Sequence, residues 1–367
     1  MFSRLLKSSW EEIGNARVDD ATRASYWRSW EEHCVLANVP TFMPKLRREQ
    51  QIQLLLLFAA RVRTGEYGRG KQIRVGSVDV ALRAVGQTFT LAGHPDPRRS
   101  SQGTKELDLP ISLLLKRYKD LDPASCPELA VPVEVVEYIA GRPRSDEFIA
   151  AVNDLVELQF LFLLRVGEYT LPSRTRQTRT VQFRRRDIVF RTNGFVLPHH
   201  TPLHILSKAD SVTLCLVNQK NGKKNATLHH QNCAGALSPV GCCARIVHRC
   251  MKISEQDDLH ICAYQRAGRR VQNVFQADIV EAVHHGVVAT GLLLKGYSLE
   301  RVGSHSLRAG GAMAMKLNGI DDTRIKQLGR WSGDTFLTYI HTQIAGLMTG
   351  VSATMIRHVP HFINVAR

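Results

Sequence analysis

Apolar side chains recur at helical spacing along most of this chain and at strand spacing in one short region. Tyr26, Trp27, Trp30 and Cys34 predict a helix over residues 18–36, and residues 50–63 predict a second. Val78, Leu82, Val85 and Phe89 place a third over 78–91, and 109–118 carry a fourth. A turn-rich basic break, His94-Pro95-Asp96-Pro97-Arg98-Arg99, precedes that fourth segment. Asp146 can cap a long helix whose last turns, 158–164, are almost wholly apolar, with Arg165 closing the run. The period then changes. Residues 187–190 read as a strand, and Val212, Leu214 and Leu216 alternate along 211–218. Asn221-Gly222 is a strong two-residue hairpin signal, and 225–230 return from it. Helical patterning resumes over 240–250 and 278–294, followed by a loop at 296–304.

The expected fold class is therefore mainly α with a small β-sheet (α+β). A chain of 367 residues is long enough for two domains. The pattern divides it into a helical domain over 1–120, a mixed domain over 121–340 and a tail over 341–367, with the boundary falling between 95 and 125.

Charge narrows the function. A net charge of +16 predicts a polyanionic partner, most simply nucleic acid, bound largely through counterion release. An anionic membrane surface is the other candidate, but no amphipathic basic helix or lipidation motif supports it. The longest apolar run, 54–60, is too short to span a bilayer and reads as a buried helix. Eight cysteines without a regular framework suggest a reducing compartment. Cys233, Cys242, Cys243 and Cys250 lack the paired spacing of a zinc site, so no metal is expected. Basic residues gather twice. Arg61, Arg63, Arg69, Lys71 and Arg74 surround a glycine-containing loop, and Arg174, Arg176, Arg184, Arg185 and Arg186 precede the first strand. Either group could be a solvated face; the overall charge favours contacts to backbone phosphates.

The chemistry concentrates in residues 304–339. His305 and Arg308 stand three apart, a spacing that puts them on one face of a helix. The small residues Ala309, Gly310, Gly311 and Ala312 would let that helix lie close against another backbone. Asp321-Asp322 caps a short helix over 323–328, and Gly329 stops it. Trp331 follows, then Tyr339, the one tyrosine C-terminal to Trp331. Earlier, LLRVGEY sets Arg165 three residues before Glu168, although an arginine ending a helix also complements the dipole.

On these residues the chain resembles the tyrosine recombinases (the phage-integrase family), most closely the branch carried by Crypton-type and DIRS-type mobile elements. The family motif is His-x-x-Arg, then His or Trp, then a nucleophilic Tyr, and His305, Arg308, Trp331 and Tyr339 occupy those places. The step from Trp331 to Tyr339 is one residue shorter than in many bacterial members. The resemblance makes Arg165 the first-box arginine on the scissile phosphate and Glu168 its supporting acid. It makes Lys220, at the hairpin turn with Lys223 and Lys224 as competitors, the general acid. It further implies a DNA-clamping N-terminal domain, double-stranded DNA as partner and no cofactor. A homo-tetramer on DNA, a dimer per site, and an intracellular location, nuclear in a eukaryote, follow from the same resemblance. Strand exchange is the leading reading. Nicking and resealing as in type IB topoisomerases, and DNA binding without cleavage, are the alternatives.

Overall fold

The computed structural model describes residues 18–331, 333, 336 and 337, other than 69, 101–105, 125–127, 172–179 and 219–223. Internal contacts divide the chain into two units, Met1–Ser125 and Cys126–Arg367.

Among the described residues of the first unit, four helices enclose an aromatic core: α1 (Asp20–Leu36), α2 (Arg48–Thr64), α3 (Val75–Leu91) and α4 (Leu109–Leu121). Helix α1 starts where Asp19 accepts the Thr22 N–H at 2.9 Å, satisfying a donor that the first turn leaves orphaned. Trp30, Leu55, Phe58, Val85 and Phe89 meet at the centre, and the Trp30 indole donates to the Thr41 carbonyl at 3.0 Å. Helix α2 ends at Gly65, whose left-handed backbone (φ 84) brings it so close to Lys71 that a Cβ would overlap the Lys71 carbonyl.

The second unit is built on one buried helix. Short α5 (Val133–Ala140) leads to α6 (Glu147–Phe162), capped by Asp146 as the sequence predicts and enclosed on nearly every side. Carboxylates in such a helix need partners. Asp154 receives Arg144 (2.6 Å), Arg245 (2.7 Å) and Arg249 (2.8 Å), while Glu157 receives Arg245 (2.5 Å) and the Ser238 N–H (2.9 Å). After α6 come a one-turn helix α7 (Val166–Tyr169) and strands β1 (Ile188–Thr192) and β2 (Phe195–Leu197). Short α8 (Leu203–Leu206) then leads to β3 (Ser211–Asn218) and β4 (Lys224–Gln231). The strands form an antiparallel sheet in the order β2-β1-β3-β4, with Val212, Leu214 and Leu216 facing the core. Helix α9 (Pro239–Ile253) buries Cys242, Cys243 and Cys250, and burial pushes all three thiols up. A small hairpin, β5 (Ala263–Tyr264) with β6 (Gln272–Asn273), precedes α10 (Gln276–Ala289). The pattern over 278–294 thus holds an α-helix and a separate 3-10 turn, Leu292–Lys295, divided by left-handed Gly291.

Helix α11 (Ser306–Leu317) lies against α6 at backbone distance. A Cβ at Gly310 would overlap the Val131 carbonyl oxygen, and one at Gly311 the Phe160 carbonyl oxygen. This is the close approach that the small residues foretell. Gly310→Ala should therefore cost stability by about 1–3 kcal/mol or more, as overpacking does. Thermal unfolding checks it; an unchanged melting temperature would mean that α11 is not seated there.

Candidate active site

The site starts from a departure at the end of α6. The apolar run continues through Leu164, yet the helix stops at Phe162 and Leu163 turns left-handed (φ 48). That conformation costs a non-glycine residue roughly 1–2 kcal/mol. What it gains is a carbonyl turned out of the helix: Leu163 O accepts from Arg308 Nη1 at 2.5 Å and from Arg330 Nη2 at 3.1 Å. Arg165 consequently does not end a helix. It precedes the single turn α7, and its backbone N–H donates to Glu168 at 2.9 Å.

Glu168 is wholly buried and gathers two arginines. Arg165 Nη1 reaches Oε1 at 3.1 Å; Arg330 Nη1 reaches Oε1 at 3.1 Å and its Nη2 reaches Oε2 at 3.0 Å. Arg165 keeps 24% of its side chain exposed, whereas Arg330 is held at 5%. Burial pulls the Arg330 guanidinium below the usual arginine range, with the Glu168 carboxylate opposing.

Helix α11 supplies Arg308, buried, with Nη1 on Leu163 O and Nη2 on Gly329 O. Its guanidinium carbon stands 4.4 Å from the centroid of the Trp331 ring, a cation–π contact. Trp331 also packs on Phe336 (5.7 Å between centroids). Helix α12 (Asp322–Gly329), capped by Asp321, ends two residues before Trp331 and so places it. Gly329 is its last residue, but the left-handed position belongs to Arg330 (φ 58). Glycine is needed at 329 for space instead, since a Cβ there would overlap the Trp331 ring.

His305 and Arg308 part company. His305 precedes the first turn of α11 and is exposed, while Arg308 points inward. Two contacts fix the His305 loop. The Glu128 carboxylate accepts the His305 backbone N–H at 2.9 Å, and Gln159 Nε2 donates to Ser304 O at 2.6 Å and Leu164 O at 3.3 Å. The Tyr169 phenol donates to Gln159 Oε1 at 2.5 Å, and burial raises its pKa well above the ordinary value.

Arg165, Glu168, Arg308 and Trp331 are thus brought together. Lys220, Tyr339, Arg69, Arg174 and Arg176 lie outside the described residues. Lys71, Arg74 and Arg186 are exposed, and Arg184 pairs with Asp258 at 3.3 Å. Arg61 pairs with Glu66 at 2.5 Å and lies over Tyr67. Two expected phosphate contacts are corrected. Arg63 is buried on Asp122 and the Ile73 carbonyl (2.6 Å), and Arg185 is buried on Met251 Sδ and the Glu255 carbonyl. Their donors serve the fold. Arg330 and Gln159 were missed, since nothing in the local spacing announces the distant Glu168 and Ser304 contacts that hold them.

Arg165 and Arg330 on one carboxylate, with Arg308 joined to them through the Leu163 carbonyl, leave the site cationic, and the guanidinium fork of the partly exposed Arg165 suits the oxygens of a phosphate. Among the described residues no group of three or more His, Cys, Asp or Glu could hold a metal ion, and no helix is long and apolar enough to cross a membrane.

No family model and no curated protein matches the sequence. Solved structures are similar to it at low identity. The XerH site-specific recombinase, bound to palindromic difH substrate in a post-cleavage complex, has a TM-score of 0.49 and 12% identity over 87% of this chain and 75% of that one. The Tn1549 transposon integrase in complex with circular intermediate DNA has a TM-score of 0.42 and 10% identity over 90% and 99%. The XerA recombinase has a TM-score of 0.38 and 14% identity over 98% and 100%.

Proposed function

We propose that this protein is a site-specific DNA recombinase or integrase. It cuts and rejoins DNA through a 3′-phosphotyrosine intermediate, serving DNA integration or mobile-element transposition. The observation that carries the reading is the convergence of Arg165 and Arg308, far apart in sequence, on a single network. Glu168 and the Leu163 carbonyl hold them, and Trp331 lies across Arg308. The sequence motif of His305, Arg308, Trp331 and Tyr339 supports it.

In this reading the Tyr339 oxygen attacks phosphorus and the bond from phosphorus to the 5′-oxygen breaks. His305 takes the phenol proton or organises its removal. Lys220 gives a proton to the leaving 5′-oxygen. Arg165 and Arg308 stabilise the charge that builds on the non-bridging oxygens. The products are a 3′-phosphotyrosine and a free 5′-hydroxyl. Attack by a 5′-hydroxyl from another duplex reverses the step, so the bond energy is conserved and no nucleotide cofactor is consumed. Exchange between two sites calls for a tetramer on double-stranded DNA, a dimer on each site.

A leaving-group substitution tests the reading. Lys220→Ala should not cleave ordinary DNA, but should recover on a duplex whose 5′-bridging oxygen is sulfur, because a thiolate leaves without protonation. Lys223→Ala and Lys224→Ala should show neither defect nor rescue. Rescue with either of those instead would relocate the acid within the hairpin. Wild-type protein that binds the sulfur duplex without cleaving it would point to DNA binding alone.

A further inference from the structure

Arg330 belongs to no part of the motif, yet the structure invests heavily in it. It is buried, and its backbone is held left-handed at a residue that is not glycine. Its two Nη groups form a fork on both oxygens of Glu168, while Arg165 reaches one oxygen with one Nη. A wholly buried carboxylate must be answered by charge. With Arg330 absent, the cation left to answer Glu168 within this network would be Arg165, drawn inward and away from its partly exposed position.

Resting on the reading of this site as one that cleaves a DNA phosphodiester, we propose that Arg330 is a positioning residue of the reaction. Its fork neutralises Glu168, so that Arg165 keeps its charge and its other donors for the scissile phosphate. Arg330 itself never touches the DNA. It sets the electrostatic balance between an arginine that acts and the acid that orients it, and it does so from the residue directly before Trp331.

The test is single-turnover cleavage by the full chain. The probe is a nicked duplex, recovered from a random-sequence pool by covalent capture on wild-type protein. Arg330→Met keeps the bulk and removes the fork. Adduct formation should slow about 10–100-fold, the range seen when a residue that orients a primary ligand is lost, with the Kd for the duplex unchanged. Adding Glu168→Gln removes the charge that Arg330 serves, so the double variant should cleave faster than Arg330→Met alone, a non-additive result. Arg330→Gly relieves the left-handed strain and should still be slow.

Arg330→Gly or Arg330→Met cleaving at the wild-type rate would overturn the role while leaving the recombinase reading intact. A double variant no faster than Arg330→Met would overturn the charge argument. Should Arg330→Met fail to fold, the double variant decides the matter: folded and cleaving supports the role, folded and inactive overturns it. Wild-type protein that captures no member of the pool overturns the reading of the site, and the role with it.

Discussion

Tyr339→Phe is expected to abolish covalent protein–DNA adducts and to leave DNA binding intact. The substitution removes one oxygen, and that oxygen is the proposed nucleophile. A phenol has a reference pKa near 10, so it needs a cationic site to become reactive near neutrality. Arg165 and Arg330 on the Glu168 carboxylate, with Arg308 joined to them through the Leu163 carbonyl, make such a site. Three other tyrosines of the second unit are committed elsewhere, and Tyr138 stacks on His285. Tyr169 is sealed on Gln159, Tyr297 donates to the Ala130 carbonyl at 2.9 Å, and Tyr264 lies buried beneath Arg266. Trapping on a nicked duplex with peptide mapping provides the check. An adduct that persists in Tyr339→Phe and maps to Tyr297 or Tyr264 would remove Tyr339 from the role.

Arg308→Lys should cost nearly as much by a different route. Lysine keeps the charge but has no planar fork, and Arg308 uses its fork on the carbonyls of Leu163 and Gly329 while its face meets Trp331. Cleavage should fall roughly 10²–10³-fold, as when one preorganised transition-state donor is lost. DNA affinity should change little, because net charge is preserved. Stability should drop by about 1–3 kcal/mol if a carbonyl is left without its donor. Rate, Kd and thermal unfolding measured on one preparation separate these effects. Affinity that collapses in proportion to rate would make Arg308 a general phosphate contact.

The caps at Asp146 and Asp321 were legible because each depends on residues near in sequence, and the close seat of α11 because its small residues are consecutive. The pairing of the two hairpin strands was legible but not its register: Asn218 faces Lys224, one residue off the pairing that a two-residue Asn221-Gly222 turn sets. The grouping of Arg165, Glu168, Arg308 and Trp331 was legible through the motif. What was not legible depends on distant partners. A basic side chain in a sequence announces charge, not burial. Arg63 is taken inward by Asp122 and Arg185 by the Glu255 carbonyl, and no local spacing reports either. The stop at Phe162 was hidden for the same reason, since the pull on the Leu163 carbonyl comes from Arg308 and Arg330, which lie in the last stretch of described chain. His305 and Arg308 parted because the helix begins between them.

The contact of Glu128 with His305 bears on where this protein can be cut. Residues 128–131 are sewn to the far end of their unit. The Leu129 N–H donates to Arg301 O at 2.7 Å, the Val131 N–H to Ser306 O at 3.0 Å, and Glu128 takes the His305 N–H. A fragment meant to carry the second unit alone, started at the first residue of α5, would look complete by its helices and strands. It would nevertheless lack the strap under the His305 loop. Fragments that begin before and after Glu128 should therefore differ in the ordering of residues 303–306, and amide exchange there would register which side of the strap the cut fell on.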